Sequence, residues 1–302
     1  MSRVIEVPET LDERGFEVLV AAVNDATRDG ARPRVLFDAR RVKWVSPYGL
    51  IGLLSVGQVA RDRTGLAAGI EAPENSDVRG YSERMNFWQA ASEVFDLPSI
   101  PGRPHAPSDA LLEITPIRSH NDVHSVVERV RERAAVILES RLHYPKPAVI
   151  QFSVMLSEVC QNILEHAEAT GWVCAQTYYW KRRLGREVVV LAVMDVGIGF
   201  KGSLGTEHAR RLGEAWTAAK ALEAAFLQGE SRFRDPGRGQ GLQAIRKQVA
   251  RWNGAIRIRS GNAMIAGVPA WDDCPAMQSR LPEFPGAQVL IVMPERSSEA
   301  RR

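Results

Sequence analysis

The chain has 302 residues, of which 45% are hydrophobic and 25% charged, with a formal net charge of +3. This profile is typical of a soluble globular protein of one large or two ordinary domains, and it calls for neither nucleic acid nor an anionic membrane as a partner. The opening residues lack a signal-peptide pattern, no apolar run is long enough to span a bilayer, and the three cysteines lack framework spacing. We therefore expect a cytoplasmic protein.

The first part of the sequence alternates strand and helix patterns. A short strand, "RVIEV", precedes a helix whose apolar stripe contains Phe16, Leu19, Val20 and Val23. A buried strand, "RVLFDA", leads to a helix that begins at Ser-Pro and stops at a glycine. A further strand, "LAAGIEA", and a single helix, "YSERMNFWQAASEVF", complete the pattern. The β-α-β-α order predicts a small α/β domain over residues 1–98.

Residues 99–110 are rich in proline and predict a linker, so residues 111–302 form a second domain. Its patterns predict a strand, two long helices, an antiparallel strand pair, an irregular segment with one Ala-rich helix, a further helix, and two closing strands separated by a Pro-rich loop. We expect helices packed on one side of a mainly antiparallel sheet. The fold class is thus α/β for the first domain and α+β for the second.

The helix that contains "FSVMLSEVCQNILEHAEATG" carries a ladder of polar residues beside its apolar face. Glu158, Asn162 and His166 are spaced four apart, so they stack on one side. An asparagine oxygen is a hard ligand suited to Mg²⁺, and a glutamate one turn earlier can orient or deprotonate a water. Alone, the ladder is better read as polar residues at the edge of an amphipathic helix.

A second motif, "MDVGIGF", ends an apolar strand. Asp195 stands at the strand end, where a carboxylate can accept a hydrogen bond from an adenine amino group. Gly197 and Gly199 would let the backbone turn and approach a base closely. For this motif alone, an ordinary strand-to-loop turn is an equally good interpretation.

The third motif, "GRGQGL", opens a helix. Gly237, Gly239 and Gly241, followed by Leu242, would expose backbone N–H groups that can bind phosphate. A flexible hinge loop is the alternative, because spaced glycines alone are a weak signal.

The order of the three motifs is more specific than any one of them. From Ile114 to Pro294 the chain resembles the GHKL ATPase superfamily. The resemblance consists of a helix with E-x3-N, a strand ending D-x-G-x-G, a long loop, and G-x-G-x-G-L before a helix. That superfamily includes the gyrase B subunit, MutL, sensor histidine kinases and anti-sigma-factor serine kinases. "SEVCQNILEHA" is most similar to the N box of the last group. The resemblance implies a Bergerat-type two-layer α/β sandwich that binds ATP and Mg²⁺.

The resemblance also implies roles for individual residues. Asn162 would bind Mg²⁺ and Glu158 would be the general base. Asp195 would recognise adenine, with Gly197 and Gly199 shaping that wall. Gly237, Gly239, Gly241 and Leu242 would belong to the phosphate loop, and residues 200–236 to the ATP lid. His166 would lie near the phosphates. By charge and position, the candidate phosphate partners are Lys201, Arg232, Arg234 and Arg238. For any single one of these four, the simpler interpretation is a solvent-exposed charge on the lid.

The first domain resembles a STAS domain, the fold of anti-sigma-factor antagonists, through "VLFDARRVKWVSPYGLIGLL". The family's loop usually reads Asp-Ser-x-Gly with serine as phosphoacceptor, whereas this chain has Ser46, Pro47, Tyr48 and Gly49. Because proline has no hydroxyl, we interpret Ser46 as a helix cap and expect a docking or dimerising role.

These patterns favour an ATPase or protein-serine kinase of the anti-sigma-factor, partner-switching type. The alternative is a nucleotide-gated binding module with little turnover. We expect a protein partner such as a sigma factor or an antagonist-like regulator, and either a homodimer or docking of the STAS-like domain in cis. A sensor histidine kinase ranks low, since His120 and His124 lack a preceding hairpin helix. A DNA-processing or chaperone member also ranks low, since little sequence follows Pro294.

Overall fold

The computed structural model describes residues 2–30, 32–97, 111–164, 169–181, 183–205, 210, 212–230 and 240–296. These residues form a mixed α/β structure with one parallel and one antiparallel main sheet. None of the helices in this part of the chain is both long and apolar enough to cross a bilayer. The strands are β1 Ser2–Glu6, β2 Thr10–Leu11, β3 Arg34–Asp38, β4 Trp44–Val45, β5 Ala68–Glu71, β6 Phe95–Asp96, β7 Leu112–Ile117, β8 Gly171–Trp180, β9 Arg186–Asp195, β10 Ala255–Gly267 and β11 Met277–Pro294.

The helices follow most of the predicted segments. They are α1 Glu13–Ala26, α2 Pro47–Thr64, α3 Ser76–Arg84, α4 Phe87–Ala91, α5 His120–Ala134, α6 Lys146–Asn162, α7 Gly199–Ser203, α8 Ala218–Glu223 and α9 Gln240–Arg251, with π-helical turns at Ala135–Arg141 and Ala224–Gln228.

Residues 2–97, the first unit, form a four-stranded parallel sheet in the order β1-β3-β5-β6. Helix α2 begins as the sequence predicts, because Ser46 caps it by accepting a hydrogen bond from the Gly49 N–H at 2.9 Å. It ends at Gly65, which has φ +74°, a conformation that favours glycine. The prediction of one helix over 81–95 was wrong: α3 and α4 are separate, and the chain turns between them at Asn86 with φ +59°.

Residues 111–296, the second unit, form a five-stranded antiparallel sheet in the order β10-β11-β9-β8-β7. Helices α5, α6 and α9 pack on its inner face. The predicted Pro-rich loop between the closing strands was wrong in extent, because β10 and β11 run on as one long hairpin. The pairing of β10 with β11 shifts register between Ser260 and Ala263, and this shift accommodates the proline-containing stretch 282–287 in β11.

The outer face of this sheet is covered by α1 and α2 of the first unit. Successive residues of the central strand β9 alternate between two cores: Val190, Ala192 and Met194 face the first unit, whereas Leu191 and Val193 face the second unit's helices. Because both faces of the sheet are buried, its strands read as continuous apolar runs. Helix α2 lies between the two sheets and is buried on nearly all sides, so one hydrophobic core spans both units.

Polar contacts accompany this apolar interface. Two acidic residues of α1 reach two arginines of β10, pairing Glu13 with Arg257 and Glu17 with Arg259. The Cys174 thiol of β8 lies 3.5 Å from the Pro47 carbonyl oxygen at the start of α2. The two units are therefore joined by both burial and charge.

We expect Phe16→Ala to lower the free energy of unfolding by about 3–5 kcal/mol, the usual loss for a fully buried phenylalanine. Phe16 is inaccessible to solvent, and its ring meets Tyr48 at 5.5 Å and Phe284 of the second unit at 5.2 Å. Urea unfolding followed by circular dichroism would measure the loss. Val18→Ala, on the same helix at a side chain 55% exposed, should change stability by less than about 0.5 kcal/mol. Equal losses in the two variants would contradict this packing.

Candidate functional site

Asp195 is the last residue of β9, the central strand of the antiparallel sheet, and is a buried acidic residue. Only 6% of its surface is exposed. Its Oδ1 accepts backbone hydrogen bonds from Gly197 at 2.9 Å and Ala287 at 3.3 Å. Its Oδ2 makes no hydrogen bond to any described residue, and no salt bridge to Asp195 occurs in this part of the chain. The site therefore holds a buried carboxylate with one oxygen available to a ligand donor.

Burial raises the pKa of Asp195 to about 7, since desolvation disfavours the charged form. The N–H groups of Gly197 and Ala287 oppose that rise by stabilising the carboxylate. A ligand amino group would add a further donor and favour ionisation in the same way. A strongly shifted carboxyl at a strand end is a candidate functional group on physical grounds.

Gly199, Ser260 and Gly286 pack closely against one another beside Asp195. Gly199 has φ +63°, and a β-carbon there would lie 2.6 Å from the Ser260 Oγ. That hydroxyl accepts the Phe200 N–H at 3.1 Å and donates to the Gly286 carbonyl at 2.7 Å. Gly286 has φ +76°, and a β-carbon there would overlap the backbone carbonyl of Asp195. The glycine that the D-x-G-x-G motif places at 199 is thus required sterically.

The first and third motifs meet between α6 and α9. The carboxylate of Glu158, half-buried on α6, lies directly over the Cα of Gly241, where any β-carbon would overlap it. Glycine at 241 therefore lets the carboxylate approach the first turn of α9. Leu242, the next residue, packs into the hydrophobic core under that helix.

Asn162 ends α6 near the end of β9. Its neighbour Ile163 packs against Gly171, and Gly171 pairs with Asp195 in the sheet. The asparagine side chain is half-buried and makes no hydrogen bond to the described residues. Phe152, Leu156, Val159 and Ile163 are buried against the sheet, as the helical period predicts. Asn162, Glu158 and Asp195 therefore lie at one end of the second unit.

The segment after Asp195 is more ordered than an irregular lid. Lys201 is exposed on α7, and its carbonyl accepts a hydrogen bond from the Trp216 indole at 3.2 Å. Trp216 joins a small hydrophobic cluster with Leu204 and the alanines of α8 and the following turn. The described residues of the predicted lid, 200–205 and 212–230, therefore include a small hydrophobic core.

Several predicted site residues lie outside the described residues. They are His166, Arg232, Arg234, Gly237, Arg238 and Gly239.

The sequence analysis missed the residues that hold Asp195 from β10 and β11. Gln288 donates its side-chain amide to the Asp195 carbonyl at 3.2 Å and to Pro285 at 2.9 Å. Ala287 and Gly286 contribute only backbone, and Ser260 contributes a hydroxyl. The one signal in the sequence was the pair of glycines at 261 and 286, both of which have positive φ.

Searches against protein-family models, curated proteins and solved structures found no match. Within the described ranges, no group of three or more His, Cys, Asp or Glu side chains is arranged to hold a metal ion. The site's chemistry therefore rests on the geometry described above.

We expect Asp195→Asn to change how stability depends on pH. In the folded chain the pKa is about 7, against an ordinary 3.8, so between these values the folded state keeps a proton that the unfolded state has lost. The free energy of unfolding of the wild type therefore falls as the pH rises. Relative to wild type, the variant should gain about 2 kcal/mol between pH 5 and pH 7.5.

Urea unfolding at the two pH values measures this gain. Asp25→Asn, at a side chain 70% exposed, is the control for the loss of a surface carboxylate. Parallel pH profiles for wild type and Asp195→Asn would contradict the shifted pKa.

Proposed function

We propose that residues 111–296 form an adenine-nucleotide-binding unit of the GHKL ATPase type. Residues 1–98 would form a STAS-like regulatory unit, giving a protein of the anti-sigma-factor, partner-switching kind. The observation that supports this best is the juxtaposition of three motifs that are weak singly: Asp195 at the strand end, Asn162 at the end of α6, and Glu158 against Gly241.

The proposed chemistry follows from the types of these groups. The free oxygen of Asp195 would accept the adenine amino group. The N–H groups in the first turn of α9 would face the phosphates, since a helix N-terminus favours anions. Asn162 would hold Mg²⁺, which would neutralise charge on the phosphate tail. Glu158 would orient or deprotonate the attacking water or hydroxyl, and catalysis would then rest mainly on positioning and electrostatics.

A nucleotide-gated binding module is the second candidate, favoured by the position of Ser46. This residue stands in the loop where STAS antagonists carry their phosphoacceptor. Here it is 7% exposed, caps α2 and lies beside Pro47, whose carbonyl contacts Cys174 of the second unit. Transfer of a phosphoryl group to Ser46 within this arrangement would require the interface to open. The partner, a sigma factor or another regulator, would then respond to nucleotide occupancy.

We expect the site to bind ATP and to discriminate against GTP. A buried carboxylate acceptor suits the amino group of adenine, whereas guanine presents a carbonyl oxygen at the same ring position and would leave the carboxylate unpaired. Such mismatches can cost a factor of about 10⁴. Titration calorimetry with Mg²⁺, at a pH well above the Asp195 pKa of about 7 so that the carboxylate can only accept, should therefore give heat with ATP and at least about 100-fold weaker binding of GTP.

Asp195→Asn should weaken ATP binding by about tenfold or more and reduce the discrimination, because an amide can donate where the carboxylate can only accept. Absence of any heat with ATP, or unchanged ATP affinity in Asp195→Asn, would overturn the proposed function.

Glu158→Gln separates turnover from binding. If Glu158 acts as the base, ATP hydrolysis or phosphoryl transfer should fall by about 10² or more while the ATP dissociation constant stays within about threefold. Single-turnover release of labelled phosphate and calorimetry on the same preparation give the two quantities.

Gly241→Ala should also slow turnover, because its β-carbon would displace the Glu158 carboxylate. Gly80→Ala is the matched control, since a β-carbon there meets only the flexible end of Arg84 at 3.5 Å. Tight ATP binding with no turnover in wild type and no effect of Glu158→Gln would favour the binding module.

A further inference from the structure

A short stretch of β11, residues 282–287, touches both the first unit and Asp195. We call it the linking segment. On one side, Phe284 packs edge to face on Phe16 of α1 at 5.2 Å, and the Asn24 side-chain amide donates to the Glu283 carbonyl at 2.8 Å. On the other side, Gly286 lies against the backbone of Asp195. The segment is thus the direct structural connection between α1 and the proposed adenine site.

Arg259 anchors the segment to the first unit. Its side chain is 2% exposed and lies between the rings of Phe16 and Phe284, with 5.6 Å from the guanidinium carbon to each ring centroid. The guanidinium donates to both carboxylate oxygens of Glu17, at 2.7 and 3.2 Å. It also donates to the carbonyl of Pro282 in the linking segment. The same cation therefore binds α1 and fixes the first residue of the segment.

This ion pair makes the anchor conditional on docking. With α1 in place, Glu17, whose side chain is 25% exposed, neutralises Arg259, whose side chain solvent barely reaches. Without α1, the arginine would lose its counter-ion, one of its two aromatic neighbours and the cover that excludes water. Water would then compete for the donors of the guanidinium and weaken its bond to the Pro282 carbonyl.

The far end of the segment fixes the carboxylate of Asp195. The Ala287 N–H binds Oδ1 and the Gln288 amide binds the Asp195 carbonyl. Gln288 also accepts a hydrogen bond from Arg259 at 3.3 Å, so the anchor and the site share one network. A carboxylate held before the ligand arrives binds it more tightly than one that must first be ordered.

We propose that docking of the first unit onto the outer face of the sheet sets the nucleotide affinity of the second unit, through Arg259 and the linking segment. This inference rests on the proposed function, since it concerns regulation of the same site. The docked form binds the adenine nucleotide more tightly. By linkage, the nucleotide holds the first unit in its docked position with the same free energy. A partner that binds the undocked first unit, on the faces of α1 and α2 that otherwise cover the sheet, would therefore release nucleotide.

The cysteines supply a readout of docking. Cys174 is fully buried under the first unit, beside Pro47, whereas Cys160 is fully buried in the core on the opposite face. Undocking would expose Cys174 and leave Cys160 covered, and only global unfolding would expose both. Burial raises the pKa of both thiols, so neither reacts while covered.

The test uses Glu17→Gln, which removes the counter-ion of Arg259 at a position far from Asp195 in the chain. Calorimetry with Mg²⁺ and ATP should give a dissociation constant raised by about fivefold or more. Asn24→Ala, a milder variant that removes only the hydrogen bond to Glu283, should raise it by a smaller factor. Glu9→Gln, at an exposed ion pair with Lys43 within the first unit, is the control and should leave it unchanged.

Alkylation of the full chain, resolved by peptide mass spectrometry, gives the reciprocal measurement. Saturating ATP should slow labelling of Cys174 by about fivefold or more relative to Cys160, and Glu17→Gln should speed it. One outcome contradicts the coupling and leaves the nucleotide site intact. In it, ATP binds wild type with measurable heat, Glu17→Gln has the same ATP affinity, and the rate of Cys174 labelling does not change with ATP. If wild type gives no heat with ATP, the proposed function itself fails.

Discussion

Burial of both faces of one antiparallel sheet is the constraint on which the rest of the structure depends. Helices α5, α6 and α9 cover the inner face, and α1 and α2 cover the outer one. Removing either layer would expose the apolar face that it covers, at a large cost in free energy. The position of Asp195 at the end of the central strand is therefore defined from both sides, by α6 through Ile163 and by the first unit through the linking segment.

Local patterns predicted most of the elements. The stripe of α1, the Ser-Pro start and glycine stop of α2, and the apolar face of α6 all depend on near neighbours in sequence, and the structure has them where expected. The break at Asn86 was missed because a helical pattern runs through it and a left-handed asparagine has no distinct signal. The length of β10 and β11 was missed because proline and glycine in "LPEFPG" suggested a loop.

The residues of the candidate site likewise fall into those that local patterns predicted and those that they did not. Asp195, Gly199, Glu158 and Gly241 come from short motifs. The structure shows that glycine is sterically required at 199, and that at 241 a β-carbon would displace the Glu158 carboxylate. Their partners Ser260 and Gln288 come from distant strands, so no local pattern could find them. The packing of two layers on the sheet is also indicated by the sequence, although it was not predicted. Most residues of α2 up to Ala60, and all residues of β9 from Val188 to Met194, are apolar, which indicates burial between two layers rather than at one surface.

The order of the strands has a consequence for synthesis of the chain. Strand β11 lies between β9 and β10, although it is the last strand in the sequence. The apolar faces of α1 and α2 are made before the sheet that covers them, and Phe284, Leu290 and Val292 of β11 follow the residues of β8 and β9 that belong to the same core. Until β11 is made, Phe16 of α1 lacks Phe284 as its packing partner, and exposed apolar surface of this kind aggregates. Translation of this protein should accordingly depend on a holding chaperone more than the modest size of either unit suggests.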